Sequence, residues 1–316
     1  MSVASRPPGA GRFRHEALLY AGGDEFLSAT GRFIRDGVEA GEPTLVVVAR
    51  AKVERLRDEL GETGGTVMFA DMAGVGANPG RIIPAWRDFV DAHAASGSRL
   101  RGIGEPVWAE RDPTTLLECQ RHEMLLNLAF EAAPSWWLLC PYDTSTLDPA
   151  VIAEAERSHP FVSHGGQSRG SSSYRGTGSG ATLDAPLDEP AGQVRELSFT
   201  WQSLAELRIT VSAAAARAGL LSTRVADMVM AANEVATNSL HHGGGSGRLR
   251  LWPHNAGLVC EISDAGHIAS PLADRQRPGA GPGDSRGLWL VNQLCDLVQL
   301  RSSAAGTTIR LHMQRA

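Results

Sequence analysis

Glu234 and Asn238 stand four residues apart in AANEVATNSLHHGGG, residues 231–245, an otherwise apolar stretch that runs into glycines. On a helix, positions i and i+4 project from one face, so the carboxylate and the carboxamide share a side. A carboxylate can take a proton from a hydroxyl, and an amide oxygen can hold a hard cation. Downstream, Asp264 closes an alternating apolar run and is followed by Ala265 and Gly266. A carboxylate at a strand end, beside a glycine that lets backbone come close, suits an exocyclic amine such as that of adenine. The segment from Pro278 to Gly287 is crowded with Gly279, Gly281, Gly283 and Gly287 around Arg286 and leads into LWLVNQLC. Glycines at a helix start expose N–H groups and the positive end of the helix dipole, which together bind phosphate. Gly306, Thr307 and Thr308 then form a turn into the last strand.

The elements that must hold these groups are legible around them. Val225, Met228, Val229, Ala232, Val235, Ala236 and Leu240 repeat at helical spacing, with Ser222 as the expected cap. Residues 247–264 read as two strands around a turn at His254 to Gly257, with Leu258, Cys260 and Ile262 alternating toward a core. RELSFTW reads as a strand, and SLAELRITVSAAAARAGL as a helix ending at Gly219.

The rest of the chain bounds the class of protein. Its 316 residues favour two domains, and 42% hydrophobic with 21% charged residues is ordinary globular composition. No apolar run approaches the roughly 20 residues of a membrane helix, and the first twenty residues lack a signal peptide's apolar core, so a cytoplasmic location is expected. A net charge of −5 argues against direct nucleic-acid binding. One lysine, Lys52, occurs beside 29 arginines, so phosphate chemistry falls to arginine, metal or backbone N–H groups. Cys119, Cys140, Cys260 and Cys295 form no CxxC pair and read as core residues. His241 and His242 point about 100° apart on a helix and lack a third ligand at a zinc-site spacing.

Residues 163–193 are rich in Gly and Ser and nearly empty of large aliphatics, which reads as a flexible linker. Before it, short apolar runs such as HEALLYA, PTLVVVA and WWLLCPYD alternate with amphipathic stretches, the pattern of βαβ units around a mainly parallel sheet. Such sheets bind ligands at the carboxyl ends of their strands. Neither GxxxxGK[ST] nor GxGxxG follows a strand in this half, so a nucleotide site is not expected there.

Two resemblances gather these observations. Residues 13–162 resemble the MEDS sensory domains through HEALLY, GEPVW, LLCPYD and the closing His159-Pro160. That implies a RecA-like three-layer α/β domain that senses a small molecule, with His15, Glu105, Trp108, Cys140, Tyr142, Asp143 and His159 to be inspected as its site. Residues 194–316 resemble the GHKL (Bergerat) ATP-binding fold, an α/β sandwich with helices over a mixed sheet. The Glu234/Asn238 helix matches its N box, Asp264-Ala265-Gly266 its G1 box, and Gly283 to Gly287 its G2 box. ANEVATNSLHHG and SRGLWLVNQLCD look most like serine-kinase anti-sigma factors. The resemblance implies ATP and Mg²⁺, with Asn238 on the cation and Asp264 and Gly266 at adenine. Gly283, Arg286, Gly287 and Thr308 would line the nucleotide beneath a lid over 269–285, and Glu234 would serve as general base. It also implies a sigma factor and a STAS-type anti-anti-sigma protein as partners, and a homodimer. One position departs: the second glycine of DxGxG is Ile268. Two other functions stay open at this stage, an ATP-gated switch without phosphoryl transfer and a small-molecule sensor without nucleotide turnover. A conventional histidine kinase would need a helical hairpin with a phospho-accepting histidine before the ATP domain, where the linker stands.

Overall fold

The structure is a computed structural model that describes residues 13–133, 135–176, 185–255, 257–277 and 287–315. The chain divides into two compact units, Met1–Leu183 and Asp184–Ala316.

In the first unit the elements follow in the order β1 (Arg14–Tyr20), α1 (Gly22–Glu39), β2 (Thr44–Val48), α2 (Arg50–Leu60), β3 (Met68–Asp71), α3 (Met72–Val75), α4 (Ile82–His93) and β4 (Leu100–Gly104). They continue with α5 (Pro113–Ala129), β5 (Trp136–Asp143), α6 (Pro149–Ser158), β6 (Phe161–His164) and β7 (Gln167–Gly170). The sheet order is β3-β2-β4-β5-β1-β6-β7, parallel except for β7. Helices cover both faces, because each buried strand carries apolar side chains up and down. On one face Phe26, Phe33 and Ile34 of α1 and Val53 and Leu56 of α2 pack over Leu18, Tyr20, Val46 and Val48. On the other, Trp86 of α4 lies against Gly102 and Gly104, where a Cβ would approach its ring within 3.2 Å. Trp136 and Phe130 complete that layer. The three-layer α/β expectation holds.

The second unit runs β8 (Arg195–Phe199), α7 (Leu204–Arg217), α8 (Ser222–His242), β9 (Gly247–His254), β10 (Gly257–Asp264), α9 (Gly287–Leu294), β11 (Leu297–Ser303) and β12 (Gly306–Gln314). Its sheet order is β11-β12-β10-β9-β8. All four described pairings are antiparallel, where a mixed sheet was expected. Tight turns join β9 to β10 and β11 to β12, and the even pair of helices between β8 and β9 returns the chain running the other way. The apolar sides of α7, α8 and α9 bury Leu207, Val211, Met228, Val235 and Val291 against Leu249, Cys260, Ile262, Ile309 and Leu311. Helix α8 begins at Ser222 itself, with Leu221 at the N-cap and no side-chain cap bond.

The segment expected as a linker is ordered at both ends. Residues 161–164 and 167–170 form a hairpin at the edge of the first sheet, turned by Gly165 and Gly166 at φ +56° and +77°. Strand β7 is exposed along its length, which is why its composition lacks aliphatics. At the other end Glu189 pairs with Arg250 at 2.5 Å, and Arg310 donates to the Asp188 carbonyl at 2.9 Å. Among the described residues between 159 and 203 there is no α-helix, and none of the described helices is long and apolar enough to cross a membrane.

Candidate functional site

Helix α8 presents Glu234 and Asn238, each half-buried and without a side-chain hydrogen bond among the described residues. Gly287, the first residue of α9, faces them: a Cβ there would stand 2.9 Å from Asn238 Nδ2 and 3.2 Å from Glu234 Oε2. The acid, the amide and the first described turn of α9 therefore meet at one place. At the next residue of α8, Ser239 Oγ donates to Asp264 Oδ2 at 2.6 Å, and the Gly266 N–H donates to Oδ1 at 2.7 Å. Each carboxylate oxygen keeps a second lone pair for an outside donor. Three glycines permit this closeness. A Cβ on Gly243 would enter the Asp264 carboxylate, one on Gly266 would lie 2.7 Å from the His242 carbonyl oxygen, and one on Gly306 would lie 2.5 Å from the Asp264 carbonyl oxygen.

The last turn requires a correction. Opposite residues of an antiparallel pair share a face, and the register sets Thr307 opposite Asp264 and Thr308 opposite Ser263. Thr307 is therefore the residue on the Asp264 side, where its hydroxyl donates to the Gly266 carbonyl at 2.9 Å. Thr308 points to the other face of the sheet, opposite Arg301 of β11. That outer face also holds Glu261, which accepts from Arg310 at 2.6 Å and Arg250 at 3.1 Å.

Ile268, the departure from the glycine pattern, packs against the hydrophobic core, and its N–H donates to Ser302 Oγ at 2.8 Å. The start of the expected lid is held down: Leu272, Asp274 and Arg275 are buried, and Asn292 Nδ2 of α9 donates to the Asp274 carbonyl at 2.8 Å. Gly283 and Arg286 lie outside the described residues. His241 and His242 are exposed.

In the first unit, the seven residues expected at one ligand site separate across the sheet. His15 and Cys140 share one face with His159 and with Glu123 and Asn127 of α5, neither of which the sequence had singled out. Tyr142 meets the His159 ring edge-on at 5.6 Å. Burial, and then His159, push the His15 imidazole down to about 4. Burial pushes the Cys140 thiol up.

Glu105 and Asp143 belong to a second group, at the carboxyl ends of β4, β5 and β1. Lys52 donates to Glu105 Oε1 at 2.6 Å and to Tyr20 Oη at 2.7 Å, and Tyr20 donates to the same carboxylate oxygen at 2.8 Å. Burial raises the Glu105 carboxyl against the pull of Lys52. Asp143 accepts from the Gly22 N–H at the start of α1 and from Ser145. Trp108 joins neither group by a hydrogen bond or ring contact among the described residues; the Arg111 guanidinium covers its ring at 4.2 Å.

A signal for Glu123 was available. Glu123 and Asn127 are an acid and an amide at i and i+4, the spacing that marked Glu234 and Asn238. Lys52 was legible as the sole lysine, a residue without a stated partner.

Comparison with known proteins assigns both halves. Residues 14–160 match the MEDS family, described as the methanogen/methylotroph, DcmR sensory domain. Residues 197–313 match the histidine kinase-like ATPase domain family. Among curated proteins none matches. The crystal structure of the RsbU and RsbW domains of Rv1364c from Mycobacterium tuberculosis is 18% identical at a TM-score of 0.29, over 38% of this chain and 32% of that one. The histidine kinase AdeS of Acinetobacter baumannii is 10% identical at a TM-score of 0.27, over 39% of this chain and 69% of that one. The chain thus spans about a third of the length of the first of these. It joins a MEDS domain in its N-terminal unit to a histidine kinase-like ATPase domain in its C-terminal unit.

Proposed function

We propose that the chain is an anti-sigma factor with ATP-dependent serine kinase activity toward an anti-anti-sigma protein of the STAS type, regulated through its MEDS domain. The observation that carries the proposal is the meeting of Glu234, Asn238 and the N-terminus of α9 at Gly287. An acid and an amide on one helix face, half-exposed beside the start of α9, are placed to reach a bound ligand, which supports this reading.

The residues fit an adenine nucleotide with a hard cation. Asp264, steadied by Ser239 and Gly266, accepts from the adenine amine with its remaining lone pairs. The Asn238 amide oxygen would hold Mg²⁺, and the N–H groups at the start of α9 would bind phosphate oxygens. Bound Mg·ATP supplies the phosphoryl group and the charge that neutralises it in flight. Glu234 accepts the proton of an incoming serine hydroxyl. Ile268 packs its side chain against the core and the Asp264–Gly266 contact forms beside it, which supports adenine binding without the second glycine.

Equilibrium binding of Mg·ATP tests the nucleotide site: wild type binds, and Asn238→Ala binds roughly 10- to 100-fold more weakly, as the loss of one cation or charged hydrogen-bond contact implies. Equal binding by both proteins rejects the site. Labelled phosphate transfer to a cognate STAS-type protein tests the kinase, with Glu234→Ala as the control that still binds nucleotide. If wild type binds Mg·ATP and transfers no phosphate, the chain is a nucleotide-gated sequestering switch.

A further inference from the structure

We propose that His15, Glu123, Cys140 and His159 form a binding site for one divalent transition metal of the zinc class inside the MEDS domain. The four donors come from four places in the chain: β1, α5, β5 and the residue that ends α6. Each side chain is fully or almost fully buried. Their ligating atoms all lie within 4.8 Å of one another. His15 Nε2 is 3.1 Å from Glu123 Oε2 and 3.3 Å from Cys140 Sγ, and His159 Nε2 is 3.4 Å from Glu123 Oε2. Tetrahedral bonds of about 2.0–2.3 Å put neighbouring donor atoms roughly 3.3–3.7 Å apart, so an ion at the centre needs only small side-chain shifts.

Proton bookkeeping gives the stronger argument. Asn127 Nδ2 donates to the Ser158 carbonyl at 2.8 Å, which fixes the amide so that Oδ1 faces His15 Nδ1 at 3.1 Å. The Ala155 carbonyl oxygen faces His159 Nδ1 at 2.8 Å. Carbonyl oxygens only accept, so both Nδ1 atoms carry a proton, and in the neutral rings both Nε2 atoms present lone pairs inward. With both rings neutral, two lone pairs and a carboxylate converge in a dry space beside the Cys140 thiol. Among the described residues, Glu123 Oε1 and His159 Nε2 have no hydrogen-bond partner. Acceptors that outnumber the protons facing them are costly to bury, and a cation at the centre removes that cost. The Asn127 and Ala155 contacts are also the outer bonds that orient histidines on a metal.

The donor set chooses the ion. Two imidazoles, a thiolate and one carboxylate suit Zn²⁺, Co²⁺ or Fe²⁺ and disfavour Mg²⁺ and Ca²⁺, which take all-oxygen sites. On binding, the Cys140 thiol loses its proton to solvent and the thiolate bonds to the metal. This site stands independently of the nucleotide reading, since it lies in the other unit.

The test uses the full chain, purified without chelator and in the absence of nucleotide, with metal content measured by elemental mass spectrometry and reconstitution by Zn²⁺ or Co²⁺. About one equivalent per chain is expected, retained in His241→Ala/His242→Ala. Co²⁺-loaded wild type shows a thiolate-to-cobalt charge-transfer band that Cys140→Ser lacks. Asn127→Ala, which leaves all four donors in place, binds Zn²⁺ roughly 10- to 100-fold more weakly. Added Zn²⁺ raises the melting temperature of wild type and not of Cys140→Ser/His159→Gln. Substoichiometric metal in wild type that reconstitution does not raise, or metal and a charge-transfer band that survive Cys140→Ser, overturns the proposal. In the first case the four residues are a hydrogen-bonded cluster only.

Discussion

Gly287→Ala separates binding from folding at the nucleotide site. The new methyl carbon would stand 2.9 Å from Asn238 Nδ2 and 3.2 Å from Glu234 Oε2. The first distance is roughly 0.6 Å inside normal carbon contact. Both neighbours are the ends of rotatable, half-buried side chains without hydrogen bonds among the described residues, so they can swing aside at small cost to the fold. Replacing glycine on a helix returns up to about 1 kcal/mol, and the folding free energy should therefore change by less than about 1 kcal/mol. The binding free energy has no such relief, because the methyl crowds Asn238 and turns its amide away from the proposed cation position. Losing one charge-assisted contact of about 1.5–3 kcal/mol weakens Mg·ATP roughly 10- to 150-fold. Calorimetric titration with Mg·ATP gives the affinity, and urea unfolding of the same preparation gives the stability. Unchanged affinity at unchanged stability would refute the placement of nucleotide between α8 and α9. A fall in affinity accompanied by several kcal/mol of destabilisation would show that Gly287 serves packing instead.

Gly243→Ala behaves differently, because its Cβ would press on the Asp264 carboxylate and lie 2.6 Å from the fixed Ser239 carbonyl oxygen; urea unfolding should show a loss of about 1–3 kcal/mol, with nucleotide affinity falling as Asp264 is displaced. Thr307→Val removes the hydroxyl that holds the Gly266 carbonyl and should weaken Mg·ATP binding, whereas Thr308→Val on the opposite face should leave it unchanged; the reverse order in a binding titration would contradict the β10–β12 register. In the MEDS domain, the buried Glu105 carboxyl has its pKa raised from 4.5. A group raised in the folded state contributes its stability below its unfolded pKa and loses it as pH rises through the folded value. Wild type should therefore lose stability relative to Glu105→Gln as pH climbs above 4.5, and parallel stability–pH curves from denaturant unfolding would count against that shift.

Much of the fold was legible because local pattern and global structure agree. WWLLCPYD is a strand from Trp136 to Asp143, and the apolar repeat from Val225 to Leu240 lies on the buried side of α8. Gly287, Asp264 and Gly266 were found by what glycine and carboxylate can do at the end of an element. What escaped depended on register or on long-range packing. Thr307 and Thr308 are equivalent until the strand opposite is known, and one residue of alternation decides which faces Asp264. Helix α5 buries Glu118, Arg121, His122, Glu123 and Asn127, so its polar positions face inward and the usual amphipathic reading inverts. The edge strand β7 looked like linker because an exposed strand needs no aliphatic side chains. His15 and Cys140 were singled out one by one, and only the parallel register of β1 with β5 sets them on a common face.

Lys52 has a practical consequence. It is the sole lysine in the chain, and its amine is tied to Glu105 and Tyr20 where β1 and β4 end. Amine-directed reagents therefore have one side-chain target, and its reactivity measures how often that ion pair opens. Acylation at Lys52, followed by peptide mass, makes the strand ends self-reporting. Any molecule that binds against Lys52 changes the labelling rate at one residue, read without a background of other lysines.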